Sequence, residues 1–267
     1  MKRSQKITLA TLRAMKEEGR RIVMLTAYDA TLAGVLDRGD VDCILVGDSL
    51  GNIVQGHGTT VPVTLEQMAY HVECVRRGVE RALLIADLPF LTYADEQRAL
   101  AAAGRLMQAG AEMVKLEGGA PVAGIAARLV ELGVPVCGHL GLTPQSVHQL
   151  SGHRVQGRAP RERARLLDDA RALEQAGCGL LVLECIPSGL AAEVARAVAT
   201  PVIGIGAGPE VDGQVLVLHD ALGLNPRPAR FVRDFLAEAG SIPEAVSRFV
   251  TAVREGDFPA VEESWQD

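Results

Sequence analysis

The chain lacks the marks of several large classes of protein. Its five cysteines, Cys43, Cys74, Cys137, Cys178 and Cys185, are odd in number, far apart and flanked by aliphatic residues, with no Cys-x-x-Cys pair. That spacing argues against a disulfide framework or a thiolate metal site. The thiols read as reduced packing residues, Cys185 being the one that could double as a nucleophile. Basic charge is short as well: 27 Lys and Arg stand against 33 Asp and Glu, a net charge of −6, with no basic stripe to face a phosphate backbone. No nucleic-acid partner is expected. No apolar run is long enough to span a membrane. Met1-Lys2-Arg3 starts like a signal peptide, but Ser4, Gln5 and Lys6 follow where its apolar stretch would have to be, so a cytoplasmic protein is expected. Low-complexity tracts and linkers are missing too, which leaves residues 1–267 as a single domain.

What is present is apolar surface, 48% of residues against 22% charged, enough for a large core. Short aliphatic runs recur at 21–27, 43–47, 83–86, 112–116, 134–138, 180–183 and 201–205. They are apolar on consecutive positions, as strands buried on both faces must be. Amphipathic stretches alternate with them at 65–78, 96–109, 122–132, 161–176 and 189–198. Strand and helix in alternation predict a parallel sheet, and about seven repeats favour closure into a (β/α)8 TIM barrel, with its core at about 21–225. The best eighth strand is 214–219, so close behind the seventh that one helical turn at most fits between them. Gly110, Gly133 and Gly177 each stand where a left-handed helix cap is expected. Two long connections, 48–64 and 140–160, suit lids or specificity loops. The segments 231–238 and 242–254 are expected to be C-terminal helices.

A barrel keeps its chemistry at the C-terminal ends of its strands. There the apolar runs give way to Asp48-Ser49, Asp87, Lys115-Leu116-Glu117, His139 and Glu184. Taken singly, each could merely cap a helix. As a set they are coherent. Lys115 and Glu117 alternate on one strand and share a face. Asp48, Asp87 and Glu117 would repel one another without a cation, and an all-oxygen set suits Mg²⁺. Mg²⁺ with Lys115 balances the three carboxylates and leaves coordination positions for the carboxylate and keto oxygens of a 2-oxo acid. A carbonyl on a metal acidifies the neighbouring C–H bond. The base would be Glu184, whose apolar strand should raise its pKa, with His139 as rival. Gly204-Ile205-Gly206-Ala207-Gly208 fits a phosphate-binding turn or a plain tight turn equally well. His219-Asp220, adjacent in the expected last strand, reads as structural.

These residues lie in motifs: Met24-Leu25-Thr26-Ala27-Tyr28-Asp29, Val46-Gly47-Asp48-Ser49-Leu50-Gly51-Asn52, Asp87-Leu88-Pro89-Phe90 and Met113-Val114-Lys115-Leu116-Glu117-Gly118-Gly119. Further on come Gly138-His139-Leu140-Gly141-Leu142-Thr143-Pro144-Gln145, Val155-Gln156-Gly157-Arg158 and Leu183-Glu184-Cys185. In order and spacing, over nearly the whole chain, they resemble the ketopantoate hydroxymethyltransferases. The resemblance implies transfer of the one-carbon unit of 5,10-methylenetetrahydrofolate to 3-methyl-2-oxobutanoate through an enolate held on Mg²⁺, giving 2-dehydropantoate for pantothenate biosynthesis. It implies metal ligands at Asp48, Asp87 and Glu117, substrate binding by Ser49 and Lys115, and Glu184 as proton acceptor; Asp48 and Asp87 are expected to bind substrate as well, and Lys115 and His139 to share in catalysis. A cytoplasmic homodecamer is implied as well. The chain departs from the family pattern at Gly58, His153 and Val211, which bears on folate affinity more than on chemistry. Two other readings stand beside it. A lyase or mutase of the phosphoenolpyruvate mutase and isocitrate lyase type would need a reactive cysteine after Glu117, where Gly118-Gly119-Ala120-Pro121 has none. A non-catalytic oxo-acid-binding barrel would have no use for Lys115, His139 and Glu184 together.

Overall fold

The computed structural model describes residues 5–266. Its strands are β1 (Ile22–Thr26), β2 (Cys43–Val46), β3 (Leu83–Asp87), β4 (Met113–Glu117), β5 (Val136–Gly141), β6 (Leu180–Glu184), β7 (Val202–Ile205) and β8 (Gly213–Leu216). They close into one parallel barrel in chain order, with Val23↔Gln214 and Met24↔Val215 sealing β1 to β8. The helices are α1 (Leu9–Glu17), α2 (Ala30–Arg38), α3 (Leu50–Ile53), α4 (Leu65–Arg76), α5 (Glu96–Ala109), α6 (Ala120–Glu131), α7 (Pro160–Gln175), α8 (Ser188–Ala197), α9 (Leu218–Ala221) and α10 (Ile242–Glu255). None of them is long and apolar enough to cross a membrane.

Strand alternation divides the core in two. Ile22, Met24, Cys43, Leu45, Leu83, Ile85, Met113 and Cys137 fill the barrel interior. Their neighbours Val23, Leu25, Ile44, Val46, Leu84, Val114 and Leu116 pack outward under the helices. Apolar residues on consecutive positions are therefore required, since each strand faces two cores. Leu12 and Met15 of α1 join the interior cluster, so α1 stoppers one end of the barrel. Lys16 fixes it there, pairing with Asp212 at 2.8 Å and donating to the carbonyls of Ala195 and Thr200.

Helix ends follow local chemistry. The Asp95 carboxylate accepts from Arg98 N to start α5, and Gly110 at φ +115° ends it. Two expectations are corrected. The segment 231–238 is turns, not helix: Asp234 Oδ1 accepts from Leu236 N and Ala237 N, and Phe235 N donates to Ala221 O, so these groups leave the helical ladder. Phe235 instead packs edge-on against Phe249 and Phe258. The last strand stops at Leu216, because Thr26 Oγ1 accepts from Leu218 N and the chain turns into α9. His219 and Asp220 are thus helical. Between β7 and β8 there is no helix, only a turn with Gly206 and Gly208 at positive φ.

The C-terminal α10 is tied back to the start of the barrel. Asp42, with its side chain 3% exposed, accepts from Val23 N at 2.9 Å and from Arg254 Nη2 at 2.6 Å. Removing one partner of a buried pair strands the other charge. Asp42→Ala is expected to lower the unfolding free energy by about 3 kcal/mol in urea titrations, and a loss under about 1 kcal/mol would show the tie to be incidental.

Candidate active site

Register does most of the assembly. Asp87 of β3 stands opposite Lys115 of β4, and Glu117 of β4 opposite His139 of β5. In a parallel sheet such partners share a face, so neighbouring strands deliver neighbouring side chains. Glu184 ends β6 beside Gly141, where φ is +92° and an added Cβ would stand 2.2 Å from the Glu184 carbonyl oxygen. Only glycine lets β5 and β6 come that close. Asp48 and Ser49 lie just past β2, on the way into α3. All seven expected site residues, Asp48, Ser49, Asp87, Lys115, Glu117, His139 and Glu184, line one cavity of about 200 Å³. A larger groove of about 490 Å³ runs beside α10, but its Arg233 and Arg248 are already paired with Glu263, Glu238 and Glu244. It holds no buried group with reason to react.

Within the cavity the polar atoms form a chain. Lys115 Nζ is 2.5 Å from Asp87 Oδ1, whose other oxygen accepts from Asp48 N at 3.0 Å. Asp48 Oδ2 accepts from Gln145 Nε2 at 2.9 Å, and Gln145 N donates to Glu117 Oε2 at 3.0 Å. Glu117 Oε1 lies 3.2 Å from His139 Nδ1, and His139 Nε2 lies 3.3 Å from Glu184 Oε2. The last contact is close but poorly aligned, so His139 Nε2 has no true hydrogen bond. Glu184 therefore faces a charged neighbour, not the purely apolar wall its strand suggested. Ser49 Oγ is held 2.8 Å from Tyr28 OH. Gln145, 4% exposed, was not singled out from the sequence. It sits in a short turn inside the long loop after β5, where nothing local distinguishes it, and only the fold shows it bridging two strand ends.

The electrostatics follow from burying unequal charge. Burial, then the charges of Asp87 and Glu117, push the Asp48 pKa up to about 8. Burial alone would lower that of Lys115, but Asp87, Glu117 and Asp48 outweigh it and keep the ammonium charged. Burial and Lys115 also work against a charged His139, yet its contacts with Glu117 and Glu184 prevail and raise it to about 9. Glu117 is lowered despite burial, chiefly through His139. Cys185 is buried and its thiol is pushed up, first by burial and then by Glu184, which fits packing and not attack. Of the three departures from the family pattern, His153 lines the cavity, Gly58 is exposed, and Val211 is buried against Gly204.

This donor set suits a hard cation. Asp48 is driven toward protonation first by its own burial and then by Asp87 and Glu117, and Asp87 Oδ1 is buried without a well-aligned hydrogen bond. Among the described residues, no three His, Cys, Asp or Glu side chains close into a ready metal cage. Both Glu117 oxygens are engaged by His139 and Gln145. An ion here would lean on Asp48 and Asp87 and fill its shell with other oxygens, which Mg²⁺ tolerates.

Known proteins resemble the chain over nearly its whole length. A 3-methyl-2-oxobutanoate hydroxymethyltransferase of Azoarcus sp. is 56% identical over 259 residues, 96% of this chain and 96% of its own. One from Thiobacillus denitrificans is 54% identical over 260 residues, 97% of this chain and 99% of its own. Among solved structures, a phosphoenolpyruvate phosphomutase from Streptomyces platensis superposes with a TM-score of 0.60 at 16% identity, over 81% of this chain and 82% of that one. A 2,3-dimethylmalate lyase gives 0.59 at 19% over 81% and 82%. Likeness at that level is likeness of barrel alone. The family model of ketopantoate hydroxymethyltransferase matches residues 6–261, and by that match and those relatives the chain belongs to the ketopantoate hydroxymethyltransferase family.

Proposed function

We propose that the protein adds the one-carbon unit of 5,10-methylenetetrahydrofolate to 3-methyl-2-oxobutanoate, giving 2-dehydropantoate, with Mg²⁺ as its metal. The observation that carries this is the cavity's charge: three buried carboxylates and half-buried Glu184 against buried Lys115 and His139. Asp48 and Asp87 would hold the ion, with Glu117 adding its negative field from behind. When bound, Mg²⁺ supplies Lewis acidity to the keto oxygen and so weakens the adjacent C–H bond. Ser49, steadied by Tyr28, and Lys115 receive the substrate's anionic oxygens. His139 Nδ1 faces Glu117 and Nε2 faces Glu184, contacts that favour the charged ring, a poor acceptor. Glu184 therefore takes the C3 proton, and His139 steadies its carboxylate. A homodecamer and a cytoplasmic location belong to the same reading. Mass spectrometry of the product from the oxo acid, Mg²⁺ and methylenetetrahydrofolate tests it, and absence of 2-dehydropantoate sinks it.

Metal and oxo acid should bind interdependently, since each supplies part of the other's site. Calorimetry on chelated protein is expected to show weak oxo-acid binding that Mg²⁺ restores; equal affinity with and without metal would count against Asp48 and Asp87 as ligands. Lys115→Met should weaken oxo-acid binding and turnover together, and Lys115→Arg should rescue neither, because a planar guanidinium does not replace a compact ammonium. A fully active Arg variant would refute the tight contact.

Without folate, in D₂O, the wild-type enzyme should exchange the C3 proton. Glu184→Gln is expected to slow exchange by about 10²- to 10⁴-fold while metal-linked oxo-acid binding survives. If Glu184→Gln exchanges normally and His139→Gln does not, the two roles must be swapped.

A further inference from the structure

The cavity has two unlike sides. Strands β3 to β6, with the turn after β2, contribute its charged groups. Strands β7 and β8 contribute Ile205, Val215 and then Val217, with no titratable group until Asp220 in α9, and Phe231 lines the same cavity. This apolar side begins next to the proposed base, because Ile205 is the register partner of Glu184. The oxo acid, small and anionic, belongs to the charged side. The apolar side is left for something flat, largely apolar and able to donate hydrogen bonds to one carboxylate.

Asp220 is held ready for such a donor. Its Oδ1 accepts from Asn225 Nδ2 at 3.0 Å, and Asn225 is itself fixed by accepting from Arg227 N at 3.0 Å. No Lys or Arg pairs with Asp220 among the described residues. Burial lowers the pKa of the adjacent His219, so that ring is no strong counter-charge. Phe231 is seated against Gly206: a Cβ there would come within 2.7 Å of the ring, so the glycine leaves it room.

We infer that Asp220 and Phe231 form the subsite for the pterin ring of the one-carbon donor, the carboxylate accepting from the ring's 2-amino group and N3–H and the phenyl ring packing on its face. A pterin offers two adjacent donors on one edge, which a carboxylate accepts side by side. Placed along β7 and β8, the ring presents its one-carbon unit next to the carbon that Glu184 deprotonates. This assignment rests on the hydroxymethyltransfer proposed above.

Tetrahydrofolate and oxo-acid binding to the Mg²⁺-loaded enzyme, followed by calorimetry, test it. Asp220→Asn keeps the shape but turns an amino donor against the pterin's own. It should weaken tetrahydrofolate by at least ~10-fold while oxo-acid affinity moves by less than ~2-fold, which also shows the variant folded. A tetrahydrofolate analogue with methyl in place of the 2-amino group should bind the wild-type protein poorly, and Asp220→Asn should no longer tell the two folates apart. Phe231→Leu should weaken both folates alike. Unchanged tetrahydrofolate affinity in Asp220→Asn, or lost oxo-acid affinity instead, overturns the subsite alone. A wild-type enzyme that makes no 2-dehydropantoate overturns the reading beneath it.

Discussion

The site is organised around one ammonium group. Lys115 is buried with its Nζ 2.5 Å from Asp87 and two further carboxylates close enough to raise its pKa. A buried charge of either sign costs several kcal/mol of lost hydration and is tolerated only in company. Here the company is unequal. The lysine is over-supplied with carboxylates, and the surplus appears on Asp48, driven toward protonation. The cavity therefore carries an imbalance that a proton on Asp48 relieves.

The barrel sets the order in which the charges meet. Asp87 beside Lys115 and Glu117 beside His139 are register partners, so pairing is decided by strand alignment and not by flexible loops. Gln145 then ties the far ends, one amide reaching Asp48 and its own backbone reaching Glu117. Strand ends hold most of the site's groups, and one buried side chain from the loop after β5 braces them to Asp48, just past β2.

Much of this was legible in the sequence, for physical reasons. Strands that face two cores must be apolar on consecutive positions, so seven of them stood out, and the polar residue that breaks each run marks the rim. Glycine at 110, 133 and 177 showed its left-handed role by position alone. What escaped notice depends on partners distant in sequence. Asp234 is the local exception, taking the amides of Leu236 and Ala237, whereas Phe235 leaves for an aromatic cluster with Phe249 and Phe258 that only the fold assembles. His219 and Asp220 were misplaced because Thr26, almost two hundred residues earlier, ends the last strand. Gln145 stayed hidden for the same reason: its meaning lies in what it bridges. Relatives and the family model fix the family, while the roles of individual residues rest on the chemistry of the cavity.

The tie between α10 and the first strands also bears on how the chain is made. Asp42 meets Arg254 across 212 residues, and β1 has no second neighbour until β8 exists. During synthesis the N-terminal strands therefore leave the ribosome with one edge unpaired and with Asp42 served by Arg81 but not yet by Arg254. Non-local closure of this kind is slow and leaves sticky edges exposed. A nascent chain stalled before residue 213 would hold most of its catalytic side chains on an open sheet, an aggregation hazard in place of an early enzyme. The same long-range seam that locks the finished barrel makes the protein dependent on being translated to its end.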